Sequence, residues 1–247
     1  MIKGIYAAGS GLMPRMLKLE VIANNLANIS TTGFKRDNIF VQIMKDTGVE
    51  QAKGNGDLSG LKVREYTDFS EGSMNQTGNK LDLAIQGSGF FAAETPNGVR
   101  YTRNGSFSLS TDGTIVTSQG YPVLGTGGPI QLPNIQNLTQ GEISINESGE
   151  VVADGKKIGT LQIAQFPDTS VLKKDGGTYF VADGDSKSSV ADGKSTVIRQ
   201  GYLEDSNVNG IEEMVQMIEL SRGFESAQKT MISQDGTLDK ANDVGKL

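Results

Sequence analysis

The sequence predicts an α+β protein in which paired N- and C-terminal helices form a coiled-coil-like stalk around a central antiparallel all-β domain. Three observations carry this. Ile2, Ile5, Gly9, Leu12, Met16, Leu19, Ala23 and Leu26 follow one another at alternating spacings of three and four, a helical seam. At the other end Met217, Phe224, Met231 and Leu238 lie seven apart, with Met214, Ser221, Gln228, Asp235 and Asn242 at the alternate core positions. Between them, short alternating apolar runs are separated by Asp-Gly and Ser-Gly turns, the pattern of hairpins. The chain divides accordingly into an N-terminal helix region (1–36), an extended arm (37–78), a β domain (79–200) and a C-terminal helix region (201–247).

Taken in order, residues 1–28 read as helix with a break at Pro14, where Gly9, Ser10 and Gly11 make interruption easy and the better helix begins. Asn24, Asn25 and Asn28 flank Leu26 near its end, with amides suited either to a solvated terminus or to hydrogen bonds with neighbouring subunits. Ser30 to Arg36 reads as a turn with a buried Phe34 and an exposed basic pair, Lys35 and Arg36. Glycines then separate short polar pieces up to Asn75, with one strand expected over 61–66. Beyond Leu81, Asp112-Gly113, Ser148-Gly149 and Asp154-Gly155 sit between apolar pairs and mark turns between strands. In the last region Ile211, Val215, Ile218 and Ile232 widen the apolar stripe on one side of the heptad seam. Each terminal seam is too narrow to be buried alone, so each needs a partner helix from this chain or from another copy.

Composition narrows the chemistry. Acidic and basic residues are interleaved at a net charge of −6, leaving no basic stripe for nucleic acid. The chain has no Cys, His or Trp, which removes thiolate nucleophiles, imidazole bases and nearly all zinc, copper and haem sites. No apolar run approaches the ~20 residues of a membrane span, and the N-terminus lacks the sustained apolar region of a cleaved signal peptide. Gly193-Lys194-Ser195 ends like a phosphate loop, but Ser188 stands where its first glycine belongs. Asp183-Gly184-Asp185 lacks the spaced oxygen series that calcium requires. Asp82, Glu94, Asp112 and Glu142 could pair as glycosidase carboxylates, but solvated strand faces are the default. No cofactor, metal or catalytic residue is expected.

One family uses these residues together. The run Ala23-Asn24-Asn25-Leu26-Ala27-Asn28-Ile29-Ser30-Thr31-Thr32-Gly33-Phe34-Lys35 resembles the N-terminal signature of the bacterial flagellar rod and hook proteins. The likeness resumes at Thr77-Gly78-Asn79, at residues 81–87, at Gly89-Phe90-Phe91 and at residues 101–107. It ends with residues 200–204, Ser206-Asn207-Val208-Asn209, Glu213-Met214-Val215, Met217-Ile218, Arg222 and Glu225. Gly127 to Ile130 is more similar to proximal-rod than to distal-rod members, and the chain is too short for the large outer domain of a hook protein.

The resemblance implies a structural subunit with no enzymatic activity. Its implied partners are copies of itself and other rod or hook subunits, with the flagellar type III export apparatus and chaperones in transit. The implied site is the periplasmic rod of the basal body, reached by uncleaved export. On this reading the assembly residues are Ile5, Leu12, Met16, Leu19, Asn24, Asn25, Leu26, Asn28, Phe34, Met214, Met217, Ile218, Phe224, Met231 and Leu238. A distal-rod or hook-type subunit is the nearest alternative. A secreted β-rich carbohydrate-binding domain is a second, and it requires clustered aromatics on a concave surface.

Overall fold

The computed structural model describes residues 2–43, 61–132, 143–183, 189–190 and 196–244. They fall into two compact units, one gathering Met1–Ala27, Asp37–Asp68 and Asn209–Leu247, the other Asn28–Arg36 and Phe69–Val208.

The first unit is built on two helices. Helix α1 (Ile2–Ala27) is continuous, which corrects the expectation of a break at Pro14. Proline at that position removes one donor, the one aimed at the Ser10 carbonyl, and the ladder on either side carries the helix across. Near the other end of the chain Asn209 starts a helix: its side chain accepts from Ile211 N at 3.2 Å and Glu212 N at 3.4 Å. Glu212 and Glu213 in the first turn add negative charge where the helix dipole favours it.

The ribbon of this unit pairs β1 (Asp37–Ile43) with β2 (Leu61–Thr67), antiparallel, from Asp37↔Thr67 to Ile43↔Leu61. The sequence signal for β1 is hidden because Ile39, Phe40 and Val41 are consecutive apolar residues, which masks a period of two. The helix started by Asn209 is α2 (Gly210–Val244). Arg15 Nη1 donates to the Gly223 carbonyl at 2.7 Å and Asn25 Nδ2 to Glu213 Oε2 at 3.5 Å. Rising numbers on α1 therefore meet falling numbers on α2, and the pair is antiparallel. Among the described residues no helix is long and apolar enough to cross a membrane.

The second unit is antiparallel β structure. Its largest sheet has six strands in the order Leu172–Lys174, Tyr179–Ala182, Gly98–Thr102, Phe90–Thr95, Ile163–Gln165 and Ser189–Val190. Phe90 and Phe91 are adjacent on one strand and so point to opposite faces. Phe91 enters a core with Leu83, Ile85, Phe107, Ile115 and Ile143, and Phe90 enters an aromatic cluster with Phe166, Phe180 and the half-buried Phe69 and Tyr101. Both faces of that strand are covered, which is why its sequence reads as a continuous apolar run.

The turn dipeptides act as turns. Phe107–Leu109 pairs with Ile115–Thr117 around Asp112-Gly113, where Gly113 has φ +85°. Glu150–Ala153 pairs with Lys156–Thr160 around Asp154 (φ +51°) and Gly155 (φ +69°), the two left-handed residues of a type I′ turn.

Phe91 stacks edge-on against Phe107 at 5.1 Å and is buried. Phe91→Ala is expected to lower the unfolding free energy by about 3–5 kcal/mol, and Phe91→Leu by less than half as much. Urea unfolding followed by far-UV circular dichroism measures both.

Candidate assembly site

In the first unit, Asn25 ties the helix pair to the ribbon. Its amide accepts from Asp37 N at 2.9 Å, donates to Asp37 O at 2.9 Å and reaches Glu213 Oε2 on α2. The residue is buried, as is Glu213, so both ends of the amide are spent inside this chain. Asn24 is exposed one residue before it. On α1 Ile22 is buried and Leu12, Leu19 and Leu26 are half-buried, while Met16 and Ala23 of the same seam turn outward. Ile5 lies in α1, but its side chain is outside the described residues, as is that of Leu238 in α2.

Helix α2 has two apolar sides. Met217, Leu220, Phe224, Ala227 and Met231 are half-buried and line up every three or four residues. Ile211, Met214, Val215 and Ile218 repeat the same spacing on another side and are exposed, Ile211 at 74%. Apolar residues on both sides leave α2 with little net amphipathicity, although each stripe is regular.

In the second unit, the turn of residues 28–36 is held by buried charge. Thr31 N donates to Asn28 O at 3.1 Å, Thr31 Oγ1 to Asn28 Oδ1 at 3.1 Å, and Phe34 N to Thr31 O at 3.2 Å. Gly33 has φ +68° and donates to Glu204 O at 2.7 Å. A Cβ on Gly33 would stand 2.3 Å from Asn104 N, so glycine is required there on two counts.

Phe34 is buried beneath Lys174, whose Nζ lies 3.8 Å from the ring centroid. Lys35 is also fully buried and Arg36 is half-buried, which corrects the expectation of an exposed basic pair. The Lys35 ammonium donates to Glu204 Oε1 at 2.6 Å and to Ser70 O at 2.5 Å. Glu204 completes its shell with Gly72 N at 3.0 Å and Arg103 Nη1 at 3.2 Å. Arg103 in turn donates to the carbonyls of Ile85 and Gly87 and lies over the Phe90 ring at 5.2 Å. Two cations on one carboxylate make burial of all three tolerable. Desolvation holds the Lys35 ammonium below its ordinary value of 10.5, with Glu204 opposing the shift.

The described carboxylates among those weighed for catalysis serve turns or face solvent. Asp82 is buried, which corrects its reading as a solvated strand residue: it accepts from Thr77 Oγ1 at 2.6 Å and Asn79 Nδ2 at 3.2 Å and so closes a turn. Asp112 serves its own turn through Thr114, and Glu94 is exposed. Asp183 pairs with Lys173 at 2.5 Å. Glu142, Gly184, Asp185 and residues 193–195 lie outside the described residues. Among the described residues no group of three or more metal-ligating side chains occurs. The clustered aromatics of the second unit are packed into its interior.

Removing one partner from the buried charge cluster leaves the others uncompensated. Glu204→Gln is expected to cost about 3–5 kcal/mol, read by urea unfolding. Between the folded pKa of Lys35 and 10.5 the unfolded state binds more protons, so this group's contribution to stability rises with pH across that window. Tyr179, whose phenol burial pushes above 10, contributes the opposite slope in alkaline solution. The rising component is isolated as the difference in stability between the natural chain and Lys35→Met, measured from pH 7 to pH 11.

Three family models match the chain. They are the flagella basal body rod protein model over residues 5–35, the flagellar hook protein FlgE/F/G D1 domain over 84–153, and the flagellar basal body rod FlgEFG protein C-terminal model over 199–244. The flagellar basal-body rod protein FlgF of Rhizobium meliloti is 36% identical over 242 residues, covering 96% of this chain and 95% of that protein. The flagellar basal-body rod protein FlgG of Bacillus subtilis is 32% identical over 259 residues, covering 96% and 97%. FlgF of Caulobacter vibrioides is 34% identical over 239 residues, covering 94% and 93%. The first model takes in most of the first helix and the buried turn at Phe34 and Lys35, the second lies within the β unit, and the third takes in α2. The chain belongs to the flagellar basal-body rod protein family, whose members are structural subunits and not enzymes.

Proposed function

We propose that this chain is a rod subunit of proximal type that polymerises through its terminal helices, in a coiled-coil-like stalk, into the hollow axial shaft between motor and hook. The observation that carries this reading is the second apolar stripe of α2, Ile211, Met214, Val215 and Ile218, exposed while the stripe containing Met217, Phe224 and Met231 is half-buried. A helix with two apolar sides and one intrachain partner is completed by a neighbour. Leu12, Met16, Leu19, Asn24, Leu26, Asn28, Met214, Met217, Ile218, Phe224 and Met231, with Ile5 and Leu238, are the residues through which copies and other rod or hook subunits pack, while Asn25 and Phe34 are spent inside the chain. Order in the terminal helices and association are then coupled, since isolated helices of this length are marginal in water. Likeness of residues 127–130 to proximal-rod members supports that position in the rod.

Transit follows the same reading. The proposed partners on the way are the flagellar type III export apparatus and its chaperones, and the destination is the periplasmic part of the basal body. A chain without cysteine carries no covalent cross-link, so it can be threaded through a channel unfolded.

Deleting residues 1–30 or 208–247 is expected to abolish polymerisation while the melting transition of the β unit persists, and Phe224→Asp is expected to do the same by burying a charge in the seam. Sedimentation velocity and differential scanning calorimetry read the two properties separately. Polymers that survive all three changes would overturn the role assigned to the ends.

A further inference from the structure

The ribbon carries a face that the first unit leaves uncovered. Asn38 stands opposite Tyr66 and Phe40 opposite Arg64, so strand alternation places these four side chains on one side. Phe40 is 57% and Tyr66 is 55% exposed, whereas Ile39, Val41 and Val63 on the other side are half-buried. A two-stranded ribbon has little stability to spare, yet this one leaves two aromatics in water beside an exposed arginine. Aromatic and arginine side chains are the types concentrated at the centres of protein interfaces.

Helix α2 carries the complementary surface. Ile211, Met214, Val215 and Ile218 form an exposed apolar patch two turns long. Every charged residue from 210 to 221 is acidic, namely Glu212, Glu213 and Glu219, and Arg222 is the first cation. The ribbon face bears Arg64 and, among its described side chains, no carboxylate. Like faces would repel: two ribbons would oppose arginines, and two stripes would oppose glutamates. Ribbon on stripe instead sets Arg64 against the acidic edge of Glu212 and Glu219 while Phe40 and Tyr66 cover the aliphatic patch. A seven-residue strand is roughly 23 Å long and two helical turns are roughly 11 Å, so the ribbon spans the patch with room to spare.

We propose that the face of Phe40, Arg64 and Tyr66 on one copy receives the stripe from Ile211 to Ile218 of a second copy of this chain. The inference rests on the polymerisation reading above and adds the ribbon to it as an assembly element beside the helices. The two faces differ and each copy offers one of each, so a contact that is not reciprocated by the same two copies is heterologous and propagates from copy to copy.

The test uses the full chain, which contains no cysteine of its own. Tyr66→Cys copies are mixed with Ile218→Cys copies and oxidised; both positions are more than half exposed, so the substitutions leave the fold intact. The expected result is a mixed disulfide in excess over either homodimer and over a control mixture of Met13→Cys with Ile218→Cys. In a second arm Arg64→Glu is expected to weaken self-association roughly tenfold, with recovery on mixing with Glu219→Arg copies, as for a charge pair across an interface. Excess Tyr66 homodimer would assign a symmetric ribbon contact, and excess Met13 product would assign the stripe to α1; either overturns the proposal. Association that ignores Arg64→Glu overturns it too and leaves the polymerisation reading standing. If the unsubstituted chain stays monomeric in sedimentation velocity at every concentration, polymerisation itself fails and the proposal falls with it.

Discussion

One carboxylate fastens the discontinuous pieces of the second unit to one another. Glu204 accepts from Lys35, Gly72 and Arg103, and its own carbonyl receives Gly33 N. These partners come from three widely separated parts of the chain, so the turn of residues 28–36, the segment at Gly72 and the segment at Arg103 are all fastened to the strand Tyr202–Glu204 at a single point. A buried ion pair adds little net stability over apolar packing, because desolvation offsets most of its Coulomb energy. Its effect here is selective: any register that leaves Lys35 or Arg103 without Glu204 buries an uncompensated cation. The discontinuous unit is thereby restricted to one way of bringing its pieces together.

The first unit follows a different logic, because it pairs the chain's two ends through weaker and more polar contacts. Asn25 satisfies Asp37 with both ends of its amide and still reaches Glu213, which sets where the ribbon leaves α1 and where α2 begins. Arg15 on the Gly223 carbonyl sets the antiparallel sense further along. The apolar content is divided between a stripe of α2 that is half-buried and a stripe that is exposed, and between an aliphatic and an aromatic face of the ribbon. Division of this kind weakens a monomer and equips it for contacts with others, as expected of a family of structural subunits.

Residues whose local pattern dictated their structure were legible in the sequence. The hairpins at Asp112-Gly113 and Asp154-Gly155, the buried Phe34 and the helical periods at both ends all follow from neighbours within a few positions. Misreadings occurred where a distant partner reversed a local rule. Lys35 is a surface type until Glu204, 169 residues away, enters its environment. Asp82 differs for a nearer reason: Thr77 and Asn79, just before it in the chain, close a turn around its carboxylate. Pro14 breaks a helix on propensity alone, but one lost donor does not end a helix of 26 residues.

By itself the sequence determined the terminal helices, the turns of the β unit, the α+β class and the family, though not the strand Asp37–Ile43, because periodicity, turn chemistry and motif order are one-dimensional properties. Only the tertiary structure decided which apolar residues are spent inside the chain and which remain outside. Met214 and Met217 are the two alternate core positions of one heptad in the sequence, yet one is exposed and the other half-buried. The reason is geometric: a helix with apolar residues all along it has no preferred side until a partner covers one, and the partner's direction of approach is not written in the helix.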